Sequence, residues 1–409
     1  LNAITQERDN MTGATRTLAR VKSAALMTAL LAISGAGTAS ASTAAASPDA
    51  ATYVYIGTHG GKGPDEGIFA ARLDEKTGAI TGLGLAANVE RPTWQAVDPR
   101  RPILYTVSET GNDGKASGAV YSFAIDAATG KLRPLGRSDS GGGGATHLAY
   151  DPASSTLFVA NFGGGQVSAI PVRPDGTFAE VSSVQTDTGS GPHRRQTGPH
   201  AHGVTVDPSG RYVLAPDLGA DKIFVYRFDA ATRKLLLGNP AAQPLPAGSG
   251  PRHLVFSPDG RFAFLDTELT GEVYVFRWDA RAGQLTPVHH ISINQPDFTG
   301  ERSAAEVVVS RDGRFLYVSD RGANSLIVYA IDAQSGRLAE RQRISGGGDR
   351  PWSFAISPSG RWMLVTNEGS SALAEFSIDR RSGRLAATAN TLAVPKPVSL
   401  SFFVRRQGK

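Results

Sequence analysis

The chain has 409 residues and a formal charge of +5, with 47 glycines, 24 prolines and no cysteine. That length exceeds one simple core, and the missing cysteines exclude disulfides, thiolate nucleophiles and cysteine metal knuckles. The charge sits at the ends, in Arg8, Arg16, Arg20 and Lys22 against Glu7 and Asp9, then in Arg405, Arg406 and Lys409, so the body lacks the basic stripe that binds nucleic acid.

From Met11 the sequence places Arg16, Arg20 and Lys22 before an apolar run at Ala24–Ile33, followed by "ASA" at 39–41. A basic region, a hydrophobic segment and small residues are the three parts of a secretory signal peptide. The apolar run is too short to span a bilayer, and the leader has no adjacent arginines, which fits the general export route. Residues 1–45 are therefore read as an extension plus signal peptide. Residues 46–409 are read as one folded domain, secreted or periplasmic, monomeric and without a membrane span.

The segment "ATYVYIGTHGGKGPDEGIFAARLDEKTGAI" at 51–80 supplies two middle strands of a unit that lacks its own first strand. Six turns follow: "VDPRRPILYTVSE", "YDPASSTLFVANF", "VDPSGRYVLAPDL", "FSPDGRFAFLDTE", "VSRDGRFLYVSDR" and "ISPSGRWMLVTNE". They start at Asp98, Asp151, Asp207, Ser257, Ser310 and Ser357, spaced 53, 56, 50, 53 and 47 apart, and such self-similarity means a repeat fold. In each unit an apolar strand enters the turn, a second leaves it, a third alternates ("KIFVYRFD", "EVYVFRWD"), and a further turn, as at Asp126–Leu132 or Asp332–Leu338, leads to an edge strand. Four antiparallel strands per unit of about 50 residues make a propeller blade. The terminal strand "KPVSLSFFV" (396–404) has no partner after it and completes the first blade. The prediction is an all-β, seven-bladed propeller whose closure removes exposed sheet edges.

Register then turns sequence into a list of residues at the channel mouth. Second strands end at Ser108–Glu109, Asn161–Phe162, Asp217–Leu218, Thr267–Glu268, Asp320–Arg321 and Asn367–Glu368, with Thr58–His59 in the incomplete blade. First strands begin at Thr93, Thr146, His202, Arg252, Ala305 and Trp352, with Trp94, His147, His253 and Glu306 next along. Antiparallel pairing brings both series to one end. That end gathers His202, Arg252, Glu268 and Arg321, with His59, Glu109, Glu306 and Trp352 close by, a mixture of charges that packing alone does not need.

Plainer roles stand beside this one. Glu268 and Arg321 could form a buried ion pair closing the channel, His202 could be a hydrogen-bonded strand residue, Glu109 and Glu368 solvated rim charges, and Trp352 packing between blades. His200 and His202, two apart on a strand, could share a metal ion with Asp217 as third ligand. No second histidine-rich segment supports that, and "HH" at 289–290 falls on an outer strand, so no metal and no cofactor is expected. "GTHGGKG" at 57–63 lacks the spacing of a phosphate loop.

The runs "GPHAH" before "DPSGRYVLAPDLGADKIFVY", "GPRHLVFSPDGRFAF", "AAEVVVSRDGRFLYVSDRGANSLIVY" and "RPWSFAISPSGRWMLVTNEGSSALAEFSID" resemble the seven-bladed lactonase family over residues 52–404. That family includes the propeller type of 6-phosphogluconolactonase and the fungal carboxy-cis,cis-muconate cyclase. The resemblance implies a site of one histidine, two arginines and a glutamate, matched by His202 with His200 beside it, Arg252, Arg321 and Glu268. The sequence departs from the usual pattern at "THG", "SDR" and "RPWSF".

Opening a lactone needs a base for water, donors for the oxyanion and an acid for the leaving alkoxide. Glu268 is assigned as base, Arg252 and Arg321 as carboxylate clamp and oxyanion stabilisers, and His202 as proton donor, with the acid and base roles interchangeable. His200, Asp217, Glu306 and Trp352 are assigned to substrate binding. Two arginines suit a small anionic, sugar-acid type lactone. The alternatives are a non-catalytic propeller that binds a ligand or protein on its rim and a muconate-type lactonising cyclase.

Overall fold

Second strands such as Ile103–Ser108, Thr156–Asn161 and Phe262–Thr267 are buried at every residue, because a neighbouring blade covers each face. Leu157 and Val159 pack with Ile103 and Tyr105 of the preceding blade, while Phe158 and Ala160 pack with Val213 and Ala215 of the next. Alternation along one strand thus feeds two interblade cores. Each large apolar side chain so buried contributes about 1.5–3 kcal/mol.

The computed structural model describes residues 52–60, 63 and 66–405. The leader, and the domain boundary expected at 45/46, lie outside the described residues. The described chain forms seven four-stranded antiparallel sheets. The strand Pro397–Val404 pairs antiparallel with Thr52–Thr58, from Thr52 opposite Val404 to Thr58 opposite Pro397, so the last strand is the innermost of the first blade. No helix among the described residues is long and apolar enough to cross a membrane.

The repeated turn explains itself chemically. Asp207 accepts the backbone N–H groups of Arg211 and Tyr212 through Oδ1, and Ser257 Oγ accepts that of Phe262. Gly210, Gly260, Gly313 and Gly360, one per turn, adopt φ between 69° and 72°, a conformation that costs glycine nothing.

A second recurring device sets the site. The pairing of first and second strands slips between Pro251 and Leu254, Ala304 and Val307, Pro351 and Ser353, and Ala145 and His147. Each slip is a bulge, which re-aims side chains at one end of the strand. Backbone N–H groups left over there are taken by second-strand side chains: His253 by Asp266, Glu306 by Ser319 and Ser353 by Thr366. In the fourth blade the regular first strand shrinks to Thr205–Val206, with Ala201 bridged to Asp217.

Candidate active site

Because of the bulge between Pro251 and Leu254, the adjacent Arg252 and His253 reach the same cavity, and in the second blade so do two residues just ahead of the strand Gln95–Val97. Thr93 and Trp94 both line it, as do Arg252 and His253, together with His59, Arg91, Glu109, Thr146, Phe162, Arg195, His202, Glu268, Arg321 and Trp352. The cavity holds about 250 Å³, enough for a small cyclic molecule.

Glu268 is its electrostatic centre. Its Oε2 lies 3.1 Å from Arg252 Nε, 3.0 Å from Arg321 Nη2 and 3.5 Å from His202 Nε2. Its Oε1 pairs with Arg195 Nη1. Burial alone pushes this carboxyl up, yet Arg321, His202, Arg195 and Arg252 together hold it well below the usual carboxylate range. His202 is held well below its ordinary value by burial first and then by Arg252, with Glu268 opposing. The pair is therefore a carboxylate beside a neutral imidazole. With Nε2 turned to the carboxylate, the buried Nδ1 of His202 has no hydrogen-bond partner among the described residues, and neither has Arg321 Nε.

Below lies a second layer. His253 is ringed by Trp94, His147 and His202 at centroid distances of 5.0, 4.8 and 5.3 Å. Its Nδ1 is 3.3 Å from Glu306 Oε1, whose other oxygen accepts Ser353 Oγ–H at 2.9 Å. Arg252 Nη1 donates to the Ala305 carbonyl, which locks the guanidinium over this layer.

The opposite wall is organised differently. Arg91 bonds His59 and sits 3.3 Å from Glu109; His59 lies 3.9 Å from Glu368, and Arg350 is 3.6 Å from Glu368. Arg91 and Arg350 occupy equivalent positions of the repeat with φ of 47° and 56°, where Gly144 and Gly250 stand in other blades. A left-handed arginine costs about 1–3 kcal/mol, so the guanidinium earns its place by what it contacts. Trp352 carries Arg321 over its ring at 4.3 Å and meets His59 at 5.1 Å.

The structure brings together His202, Arg252, Glu268, Arg321 and Trp352, with His59 and Glu109 also at the cavity, and separates His200, Asp217 and Glu306 from it. His200 stacks on Phe162 at 4.5 Å and binds the Phe162 carbonyl, so it supports the cavity wall from behind. Asp217 faces away from the cavity: its Oδ1 accepts the N–H groups of His200 and Ala220, where it closes a turn. Glu306 is buried one layer beneath the cavity. Glu109 and Glu368 are only 13% exposed and paired, not solvated rim charges.

Two lining residues escaped the sequence reading, Arg195 and Arg91. Arg195 lies in the 188–199 connection, inside the longest interval between turns, 56 residues. Arg91 was legible as the first member of the recurring Arg-Pro pair at 91–92 and 350–351.

Comparison with known proteins agrees with the fold. The family model "Lactonase, 7-bladed beta-propeller" matches residues 53–402. A 6-phosphogluconolactonase of Bacillus subtilis is 33% identical over 348 residues, covering 85% of this chain and 97% of its own. One from Formosa agariphila is 28% identical over 308 residues, covering 74% and 86%. The structure of a Pseudomonas aeruginosa periplasmic gluconolactonase superimposes with a TM-score of 0.81 at 37% identity, covering 86% of this chain and 99% of that one. The chain belongs to the seven-bladed β-propeller lactonase family and is a lactone hydrolase.

Proposed function

We propose that this chain is an exported lactonase that hydrolyses a small anionic lactone of the sugar-acid type at the mouth of the central channel. The observation that carries the reading is the convergence of Arg195, Arg252, Arg321 and His202 on the single buried carboxylate of Glu268, at a cavity of about 250 Å³. Export is supported by the leader from Met11 and by the periplasmic relative.

A carboxylate surrounded by three guanidiniums is a weak base, whereas His202, kept unprotonated by burial and Arg252, is free to accept a proton that the adjacent Glu268 carboxylate then stabilises. The base role therefore falls to His202, with Glu268 orienting its Nε2–H and stabilising the imidazolium. Water adds to the acyl carbon while the His202 imidazole takes its proton. The negative charge that forms on the carbonyl oxygen is met by the guanidiniums of Arg252 and Arg321. The ring C–O bond then breaks, His202 returns the proton to the departing alkoxide, and a hydroxy acid leaves.

The test is a panel of sugar-acid and aromatic-acid lactones, followed by acid release, with the parent and Glu268→Gln. The variant keeps the shape but removes the charge, and kcat/KM is expected to fall about a hundredfold or more, with circular dichroism unchanged. A parent that opens no lactone, or a variant as active as the parent, would sink the reading.

A further inference from the structure

Three guanidiniums stand against Glu268, but they are not equally committed. The side chains of Arg252 and Arg321 are 3% and 5% exposed. Arg252 spends Nε on Glu268 and Nη1 on the Ala305 carbonyl; Arg321 shares Nη2 between Glu268 and the Ala304 carbonyl. Arg195 is 38% exposed and, among the described residues, donates only Nη1, to Glu268. Of the other cations lining the cavity, Arg91 has its own carboxylate in Glu109, and nearby Arg350 pairs with Glu368. Among the described residues that line the cavity, the accessible surplus of positive charge is therefore Arg195.

Its placement is built from buried contacts. Gln196, the next residue, is fully buried; its amide donates to the Leu218 carbonyl at 2.8 Å and to Asp221 Oδ1 at 2.7 Å, and its Oε1 accepts the His193 N–H at 3.0 Å. Asp221 also accepts the N–H groups of Gly248 and Gly250, just ahead of the strand that carries Arg252. One carboxylate thus ties the Arg195 connection to the Arg252 strand. An exposed connection held by a buried amide presents its arginine within a narrow range of positions.

The geometry points to Arg195 as the specificity-determining residue that recognises a phosphate or carboxylate substituent on the lactone, with Gln196 as its positioning residue. The assignment rests on the lactonase reading above and adds where substrate charge is sensed. The remaining N–H donors of a guanidinium match such an anion in a two-pronged contact. Partial exposure lets Arg195 exchange partners, which the two buried arginines cannot do without stranding a buried charge.

The experiment assays the mature chain, Arg195→Ala, Arg195→Lys and Gln196→Ala on 6-phosphogluconolactone and on uncharged glucono-δ-lactone, with Tm recorded for each. Arg195→Ala is expected to lower kcat/KM for the phosphorylated lactone about tenfold more than for the uncharged one, mainly through KM. Arg195→Lys should fall between, and Gln196→Ala should shift the same ratio in the same direction without adding to Arg195→Ala. Inorganic phosphate, as a competitive inhibitor of uncharged-lactone hydrolysis, should bind Arg195→Ala about tenfold more weakly. Equal losses on both lactones, unchanged phosphate inhibition, or a parent that opens only the uncharged lactone would overturn the assignment. A parent that opens neither of these nor any other lactone removes the substrate reading itself, and the assignment with it.

Discussion

The two walls of the cavity use the same residue types in different proportions. On one, Arg195, Arg252 and Arg321 surround a single carboxylate, Glu268. On the other, Arg91 and Arg350 each face a glutamate, Glu109 and Glu368, with His59 between them. Among the described residues, surplus positive charge therefore accumulates at the wall where the proposed hydrolysis would generate a carboxylate from a neutral ester. The second wall, which pairs each of these two arginines with a carboxylate, is the balanced one. The difference teaches that uncancelled charge, and not the number of ion pairs, is what sets the proposed reaction site apart.

The largest expected effect comes from disturbing the unbalanced wall. Arg252→Ala removes a guanidinium that is nearly fully buried against Glu268; about 3 kcal/mol of stability should be lost, because a buried charge loses a partner. Lactone hydrolysis should fall about a hundredfold. Urea unfolding and initial rates measure the two losses, and near-parental hydrolysis would erase the distinction between the walls.

An intermediate effect is expected from the layer beneath. Burial, opposed by Arg252 and Ser353, pushes Glu306 up to about 7 from an ordinary 4.5. A carboxyl raised on folding holds its proton longer in the folded chain than in the unfolded one. Its contribution to stability is thus complete below 4.5 and declines as pH rises to about 7. Glu306→Gln should flatten that part of the Tm profile. Asp266, also raised to about 7, leaves a residual slope. Parallel profiles for parent and variant would show that Glu306 is ionised in the folded protein.

The smallest effect should come from the balanced wall. Glu109→Gln releases Arg91 from its carboxylate but leaves Glu268 and its cations untouched. KM is expected to change about threefold with kcat preserved. A loss in kcat as large as that of Arg252→Ala would mean that the walls act as one unit.

Period-two alternation and the Asp or Ser turns are local properties, and they sufficed for blade number, strand order and closure by residues 396–404, since each blade repeats the same short-range chemistry. The same register named His202, Arg252, Glu268 and Arg321 from strand ends alone. It misassigned Asp217, whose carboxylate closes a turn, and Glu306, which the bulge beside it sends beneath the cavity. It also missed Arg195, because a connection between blades has no period to read. Which of two adjacent residues faces the channel depends on a slipped strand pair. Where a connection comes to rest depends on buried partners 22 and 25 residues away, Leu218 and Asp221 for Gln196. Such long-range contacts form only in the closed ring, and they decided how three cations came to share one carboxylate.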